Sequence, residues 1–206
     1  MHKMTRRAFG AAGLAFMLAT STVWAQQGPP VRIRGQIEKV EGDMLTIKAR
    51  DGSEVKVKLA DNARVIAQVK ASLADVKTGA YVGVTGMPLP DGSQRAIAIH
   101  IFLEAQRAAV PDRFGPWDLR EGSTMTNATV ESTVTSTDGE VIVVKYKDGE
   151  KKVIVSSDTP IVANAPGDKS EIKSGAQIVI MGAQKQPDGS LTTNGIYVGR
   201  GVTPPM

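Results

Sequence analysis

The residues with the clearest chemical potential are lysines and arginines that alternate with apolar residues in two stretches of the chain. In residues 54–59 apolar side chains occupy every second position with lysines between them, which is the period of a half-buried strand. A similar run precedes it, and Asp51-Gly52 between the two runs is a strong hairpin signal. The cations would share the outer face of a hairpin, where rows of positive charge can bind a polyanion. The candidate binding residues are Lys48, Arg50, Lys56, Lys58, Lys145 and Lys147, with Lys151 and Lys152 beside the second set.

The alternative for these faces is a solvated β surface whose lysines discourage edge-to-edge pairing. Aromatic residues, on which nucleic-acid bases stack, make up only 4% of the chain, and Tyr146 alone lies near a basic run. The formal charge is +4, but residues 1–25 contain three basic residues and no acid, so 22 basic and 21 acidic residues remain without them. This near-neutrality predicts that nucleic acid is not a partner, and it leaves an envelope component or another anionic polymer open.

Residues 1–25 have the pattern of a cleavable signal peptide. Arg6 and Arg7 lie in a positively charged start, a small apolar stretch follows, and Ala25 ends a cleavage site with small residues. The run 5–9 also resembles the twin-arginine export signal, and an ordinary secretory leader is the alternative. We therefore expect a periplasmic or secreted protein, and after Ala25 no stretch is long and apolar enough to span a bilayer.

Few residues of the exported chain could perform catalysis or hold a metal. The sequence has no cysteine, and His100 is the one histidine outside the leader, so thiolate chemistry, histidine triads and multi-histidine metal sites are excluded within one chain. His100 alternates with Ile99 and Ile101, which predicts a solvent-facing structural histidine. The Asp-Gly pairs lack calcium-loop spacing and indicate turns. The dispersed methionines do not form a copper motif. The sequence predicts no cofactor, no metal and no enzymatic activity.

The hairpin occurs twice. Residues 147–155 repeat the pattern of the first hairpin 97 positions on, and the turn at 90–93 recurs with the same residue types at 187–190. Almost every turn recurs at a spacing of 96 or 97, which indicates an internal duplication. Each unit reads as three strands, a short strand with a helical turn, and two further strands.

This order resembles the OB-fold, a five-stranded Greek-key barrel with a helix or loop between strands three and four. The sequence also resembles an uncharacterised family of exported bacterial OB-like domains. The matching residues are Gly35, Ile37, Val40, Leu45, Thr46, Ile47, Asp51, Gly52, Leu73, Val76, Lys77, Gly79, Val82, Val84, Gly86, Asp91 and Gly92. The match is good over 31–103 and looser over 126–199, where Ser132 is placed at the position of Gly35. The resemblance implies a fold and an exported compartment but no activity or catalytic residue.

The sequence therefore predicts an all-β protein of two tandem small OB-like barrels, each with five or six strands, after a signal peptide. The predicted segments are the leader 1–25, a first domain 31–104, a linker 105–124, a second domain 125–200 and a tail 201–206. We expect each domain to fold alone; a shared core or exchanged strands is the alternative. The predicted function is an exported, non-enzymatic binding or envelope-associated module of unknown ligand. The alternatives are an accessory protein that binds a small molecule or metal ion for a transport system, a weak polyanion-binding or oligonucleotide-binding OB protein, and a cryptic hydrolase.

Overall fold

The computed structural model describes residues 29–136 and 139–205. The predicted signal peptide, with Arg6, Arg7 and Ala25, lies outside the described residues, as does Asp138 of one predicted turn.

The all-β prediction is confirmed, since 60% of the chain is strand and 5% is helix. The strands are β1 Val31–Glu41, β2 Met44–Ala49, β3 Glu54–Ala71, β4 Tyr81–Pro88, β5 Gln94–Ile101, β6 Arg113–Pro116, β7 Thr124–Ser136, β8 Gly139–Tyr146, β9 Gly149–Val155, β10 Ile161–Pro166, β11 Gln177–Lys185 and β12 Leu191–Gly199. Short 3₁₀ turns occupy Leu73–Asp75, Glu104–Gln106 and Lys169–Glu171.

The Asp-Gly-Ser turns form as the sequence predicts. The Asp51 carboxylate accepts hydrogen bonds from the backbone N–H and the hydroxyl of Ser53, at 2.9 and 2.6 Å. Asp91 and Asp188 bind the serine two residues on in the same way. Gly52 takes a φ of +87°, which residues with a side chain rarely adopt. Turn formation therefore explains these aspartates.

Strand β3 is much longer than the sequence predicts. The polar pair Asp61-Asn62 predicts a strand end near Leu59 and a separate short strand at Val65-Ile66, and this prediction is wrong, since β3 runs through both. The chain stays extended because the residues beyond the exposed polar pair are paired with β10 and β12, and Ala63 and Ala67 there are buried. A register shift against β12, between Thr193 and Gly195, accommodates the irregularity. At about 3.3 Å per residue, 18 residues carry the chain about 60 Å, well beyond the hairpin where β3 begins.

Two closed rings of strand pairing result, and each combines strands from both halves of the chain. The first ring, here called the first barrel, contains β1, β2 and β3 together with β11 and β12. The second ring, the second barrel, contains β7, β8 and β9 together with β4 and β5. The prediction of tandem barrels, one from each half, is not confirmed, because the last two strands of each repeat pair with the first three strands of the other.

The hydrophobic cores follow this exchange. The core of the first barrel joins Ile37 and Ile47 from the first half to Ile178, Ile180 and Ile196 from the second. The core of the second barrel joins Val82, Val84 and Ile99 to Ile142 and Val153. Each half therefore supplies buried apolar side chains that the other half needs.

An approximate two-fold axis runs between the two barrels. Strands β3 and β10 pair antiparallel, and Gln68 lies directly opposite Asn164. These residues are 96 positions apart, which is the spacing of the repeat, so equivalent residues meet at the axis. Gln68 Nε2 donates to Asn164 Oδ1 at 3.0 Å, and Asn164 Nδ2 donates to Gln106 Oε1 at 2.9 Å. A chain of three side-chain amides, of which Gln68 and Asn164 are buried and Gln106 is half-buried, thus joins the two halves and the connecting segment.

Gly35 allows two strands to approach closely. A Cβ atom at this position would lie 2.1 Å from the carbonyl oxygen of Lys48 on β2. A glycine within an alternating strand predicts a bulge or bend at Gly35, but the register between β1 and β2 shifts two residues later, between Ile37 and Lys39. The alignment of Ser132 with Gly35 is wrong. Gly35 pairs with Ile178 as Ala128 pairs with Val82, which makes Ala128 the structural equivalent.

The connection between the halves packs across both barrels. Strand β6, within the predicted linker 105–124, pairs with β7. Trp117 follows β6 and packs against Met125 of the second barrel and Met181 of the first. Asp118 binds Arg32 and Arg34 of β1 at 3.2 and 2.7 Å. The connection therefore fastens the two barrels to each other.

Candidate binding sites

The structure places the first predicted set of cations on the first barrel, where acidic side chains and a backbone carbonyl lie close to them. Lys48, Lys56 and Lys58 are exposed on β2 and β3, as the alternation predicts. Lys58 Nζ lies 3.2 Å from the carboxylate of Asp43, and Lys48 is paired in register with Glu54. Arg50 is exposed as well, but its guanidinium donates to the backbone carbonyl of Pro204 instead of standing free beside the lysines. The face is accessible, and its positive charge is partly offset by acids.

The second predicted set lies on the second barrel and does not form one face. Lys145 Nζ lies 3.3 Å from the carboxylate of Glu131, and Lys147 is exposed in the turn after β8. Lys151 and Lys152, as consecutive strand residues, point to opposite faces. Lys151 donates to the carbonyl of Gly92 at 3.2 Å and lies over the ring of Phe114. The two sets of cations belong to different barrels, and their role in binding stays a prediction.

His100 is buried, so the expectation of a solvent-facing histidine is wrong. Strand β5 has neighbours on both edges, β4 on one side and β10 on the other, and the ring is only 2% exposed. The ring packs edge-on against Phe102, with centroids 4.6 Å apart. Burial lowers the pKa of His100 to about 3, because a charged ring would lose its hydration. His100 is therefore neutral near pH 7 and packs as part of the protein interior.

This buried histidine predicts acid sensitivity well above the range where carboxylates titrate. The pKa of His100 is near 6.5 in the unfolded chain and about 3 in the folded protein. Between these two pH values the unfolded state binds a proton that the folded state does not bind, so protonation favours unfolding. Stability should be full above pH 6.5 and should fall by about 1.4 kcal/mol per pH unit below it, or about 2 kcal/mol by pH 5. Urea unfolding at pH 7.5 and 5.0 measures the loss. His100→Leu should show a much smaller loss over this interval, and an equal loss in both proteins would contradict this account.

A cluster of arginines at one end of the first barrel joins Arg50, one of the predicted cations, to Arg32 and Arg34, which the sequence did not identify as candidates. Arg32 and Arg34 lie on β1, and the backbone N–H of Arg50 donates to the carbonyl of Arg34 at 2.9 Å. Arg32 lies over the ring of Trp117, 4.3 Å from its centroid, and Arg113 lies over the same ring at 5.5 Å. The alternation of 31–37 was visible in the sequence, but the partners of the two arginines come from distant segments.

Charge and burial compete within this cluster. Burial lowers the pKa of Arg50, and the nearby charge of Arg34 lowers it further. Burial acts to raise the pKa of Asp118, but hydrogen bonds and charge from Arg34 and Arg32 outweigh it and the net shift is downward. In this cluster Arg34 Nε and Trp117 Nε1 are buried without a hydrogen-bond partner, as are Gln68 Oε1 and His100 Nδ1 elsewhere among the described residues. Buried polar atoms in native proteins usually have partners, so all four are exceptions.

An open cavity of about 410 Å³ lies against the arginine cluster. We call it the arginine pocket. Its polar lining is Arg32, Arg34, Arg50, Asp51 and Ser53, and its apolar lining includes Val31, Ile33, Val55, Leu119 and Leu191. Leu119 comes from the connection and Leu191 from the exchanged strand β12, so both halves build it.

Two larger grooves flank the C-terminal residues Val202 and Thr203. The groove of about 900 Å³ is lined by the 3₁₀ turn Lys169–Glu171 and the end of β12, with a Glu171–Arg200 ion pair of 2.7 Å among its lining residues. The groove of about 780 Å³ is more apolar and runs between the end of β3 and the turn from β9 to β10.

Within residues 29–136 and 139–205, no group of three or more histidine, cysteine, aspartate or glutamate side chains could hold a metal ion. The same residues include no helix of the length and hydropathy needed to cross a bilayer. Comparison of the chain with family models, curated proteins and solved structures finds no match.

Proposed function

We propose that the protein is exported and acts as a non-enzymatic binding protein, with two OB-like barrels that share their strands. The observation that carries the proposal is the order of pairing within each ring. Numbering the strands of the first barrel along the two repeats, strand three pairs in parallel with strand five, and strand one pairs antiparallel with strand four. The second barrel repeats both pairings. This is the strand order of the OB-fold, a scaffold that binds oligosaccharides and oligonucleotides.

In OB-folds the ligand lies across strands two and three, between the loop joining strands one and two and the loop joining strands four and five. In the first barrel these strands are β2 and β3, which carry the exposed cations Lys48, Lys56 and Lys58. The second loop is the turn at 186–190, which comes from the other half of the chain. We infer that the ligand of this face is an anionic polymer of the cell envelope, since export places the protein there and the near-neutral charge disfavours nucleic acid.

The expected result is weak, salt-sensitive binding to a sulfated polysaccharide by the chain 26–206. Affinity should be micromolar or poorer at low salt and should be lost near physiological salt, because each neutralised anion releases a counterion. Replacing Lys48, Lys56 and Lys58 with glutamine should flatten the plot of log affinity against log salt by about one unit for each cation that contacts the polymer. Fluorescence anisotropy with a labelled polysaccharide measures this slope.

The matched control replaces Lys70, Lys77 and Lys173 with glutamine. These lysines are exposed and lie outside the residues that pair in the hairpins β2–β3 and β8–β9, so the control removes the same charge from outside both predicted sets of cations. If both triple variants lose equal affinity, binding follows net charge and has no defined face. If the unaltered chain binds no polysaccharide at any ionic strength, the lysines serve solubility alone. If the chain degrades the polymer, it is an enzyme and the proposal fails.

A further inference from the structure

We propose that the arginine pocket binds a small organic anion, with its carboxylate or phosphate on Arg34 and Arg50 and its apolar part over Val55, Leu119 and Leu191. This site is separate from the lysine face of the first barrel and does not depend on polymer binding there.

The pocket carries more positive charge than its own acids neutralise. Three guanidiniums and the carboxylate of Asp51 line it, and the carboxylate of Asp118 binds Arg32 and Arg34 from outside the lining. Asp118 is shared between Arg32 and Arg34. Asp51 is engaged by the backbone and hydroxyl of Ser53, and no ion pair joins it to an arginine within the described chain. Arg50 therefore has no carboxylate partner in that part of the chain, although Arg34 lies beside it.

Free donor groups accompany the excess charge. Arg34 uses one terminal nitrogen for Asp118, at 2.7 Å, and its Nε is buried with no partner in the part of the chain that the structure describes. The Arg34 side chain is only 13% exposed, so an anion there would be shielded from water. Arg50 donates from one terminal nitrogen to the carbonyl of Pro204, a neutral acceptor. A guanidinium presents its N–H groups in a planar fork that matches the oxygens of a carboxylate or phosphate.

The apolar part of the pocket lining indicates the chemistry of the ligand beyond its anionic group. Six of the eleven lining residues are apolar, and the volume of about 410 Å³ lies in the range of small-molecule sites. A free inorganic ion would leave this apolar surface in contact with water. An anion with a short aliphatic or aromatic body would cover it and would also relieve the repulsion between Arg34 and Arg50, which contributes to the lowered pKa of Arg50.

Fastening the connection to the first barrel does not explain the whole cluster. Asp118 forms ion pairs with Arg32 and with one terminal nitrogen of Arg34, and Arg32 also lies over the ring of Trp117. A purely structural anchor would not need the third arginine, Arg50, which has no carboxylate partner among the described residues. Arg50 lies in the turn that joins β2 to β3 in the first hairpin, so the duplicated hairpin and the connection meet at this pocket.

Calorimetry on the chain 26–206 tests the proposal with four probes: hexanoate, hexyl phosphate, inorganic phosphate and hexanol. We expect hexanoate or hexyl phosphate to bind with a Kd of about 0.1–1 mM, and the tighter of the two identifies the preferred headgroup. Inorganic phosphate should bind at least about tenfold more weakly, since it covers no apolar surface. Hexanol should not bind measurably, because it brings no charge to the guanidiniums.

Arg34→Gln and Arg50→Gln should each weaken binding by about tenfold or more, whereas Arg64→Gln, an exposed arginine on β3 outside the pocket, should not change it. If Arg34→Gln fails to fold, Arg50→Gln and Arg50→Lys decide the question, because Arg50 contacts only a backbone carbonyl among the described residues; the lysine variant should bind with intermediate affinity. The proposal is overturned if neither organic anion binds at 10 mM, if hexanol binds as tightly as hexanoate, or if Arg50→Gln behaves like Arg64→Gln.

Discussion

The fragments 26–110 and 111–206 are each expected to be unfolded alone and to fold together when they are mixed. The first fragment carries β1 to β5, but β1 to β3 belong to one barrel and β4 and β5 to the other. Without the second fragment, the first barrel lacks the buried Ile178, Ile180, Ile196 and Val198. At about 1.5–3 kcal/mol for each buried aliphatic side chain, their absence removes about 6–12 kcal/mol. This loss is comparable to the whole stability of a typical domain, about 5–15 kcal/mol.

Amide spectra of the separate and mixed fragments measure this effect. Each fragment alone should give narrow dispersion, and the equimolar mixture should give the dispersed spectrum of the intact chain. The control is the intact chain cut once near residue 110 after folding, which should keep its spectrum because the cut does not remove any strand. A dispersed, β-type spectrum from either fragment alone would show that one repeat can form a barrel by itself.

Gly83→Ala is expected to be among the most destabilising single substitutions in this chain. Gly83 of β4 lies opposite His100 of β5, and a Cβ atom there would lie 2.0 Å from Nε2 and 2.2 Å from Cε1 of the imidazole. The ring is held by Phe102 and by strands on both edges of β5, so it has no free space into which to move. We expect a loss of about 3 kcal/mol in the free energy of unfolding, at the upper end for an overpacked core. Urea unfolding monitored by circular dichroism measures it.

The control for this substitution is Gly115→Ala on β6. Gly115 has no atom within 4 Å of its would-be Cβ among the described residues and does not adopt a positive φ, so the change should cost little. In a His100→Ala background, where the ring is absent, Gly83→Ala should lose most of its effect, because residues in contact are not additive. If Gly83→Ala costs the same with and without the ring, the imidazole is not the cause.

Local structure could be read from the sequence because it depends on neighbouring residues. The alternation around Val57 and the Asp-Gly turns predict strands and hairpins directly, and they formed where expected. The length of β3 could not be read in this way. Asp61-Asn62 has the composition of a turn, and only the pairing of the following residues with β10 and β12 keeps the chain extended there.

The exchange of strands could not be read for a related physical reason. Because the repeats resemble each other, β4 and β11 have similar patterns, and each could pair with β1 or with β7 at similar cost. The choice depends on features outside the repeat pattern: the long β3, the Gln68–Asn164 hydrogen bond at the axis and the attachment of Asp118 to β1. The arginine pocket could not be predicted for the same reason, because Leu119, Leu191 and Arg50 come together only through the exchange of strands. His100 was misplaced because alternation identifies the two faces of a strand but not whether both are covered.

The exchange itself is tested most directly by cross-strand proton contacts in the intact, isotope-labelled chain 26–206. The structure predicts nuclear Overhauser effects between residues 34–36 of β1 and 177–179 of β11, and between residues 82–84 of β4 and 126–128 of β7. Tandem barrels would instead pair residues 34–36 with β4, and residues 126–128 with β11. Contacts of that second kind, in place of the first, would contradict the exchanged fold and with it the shared origin of both candidate sites.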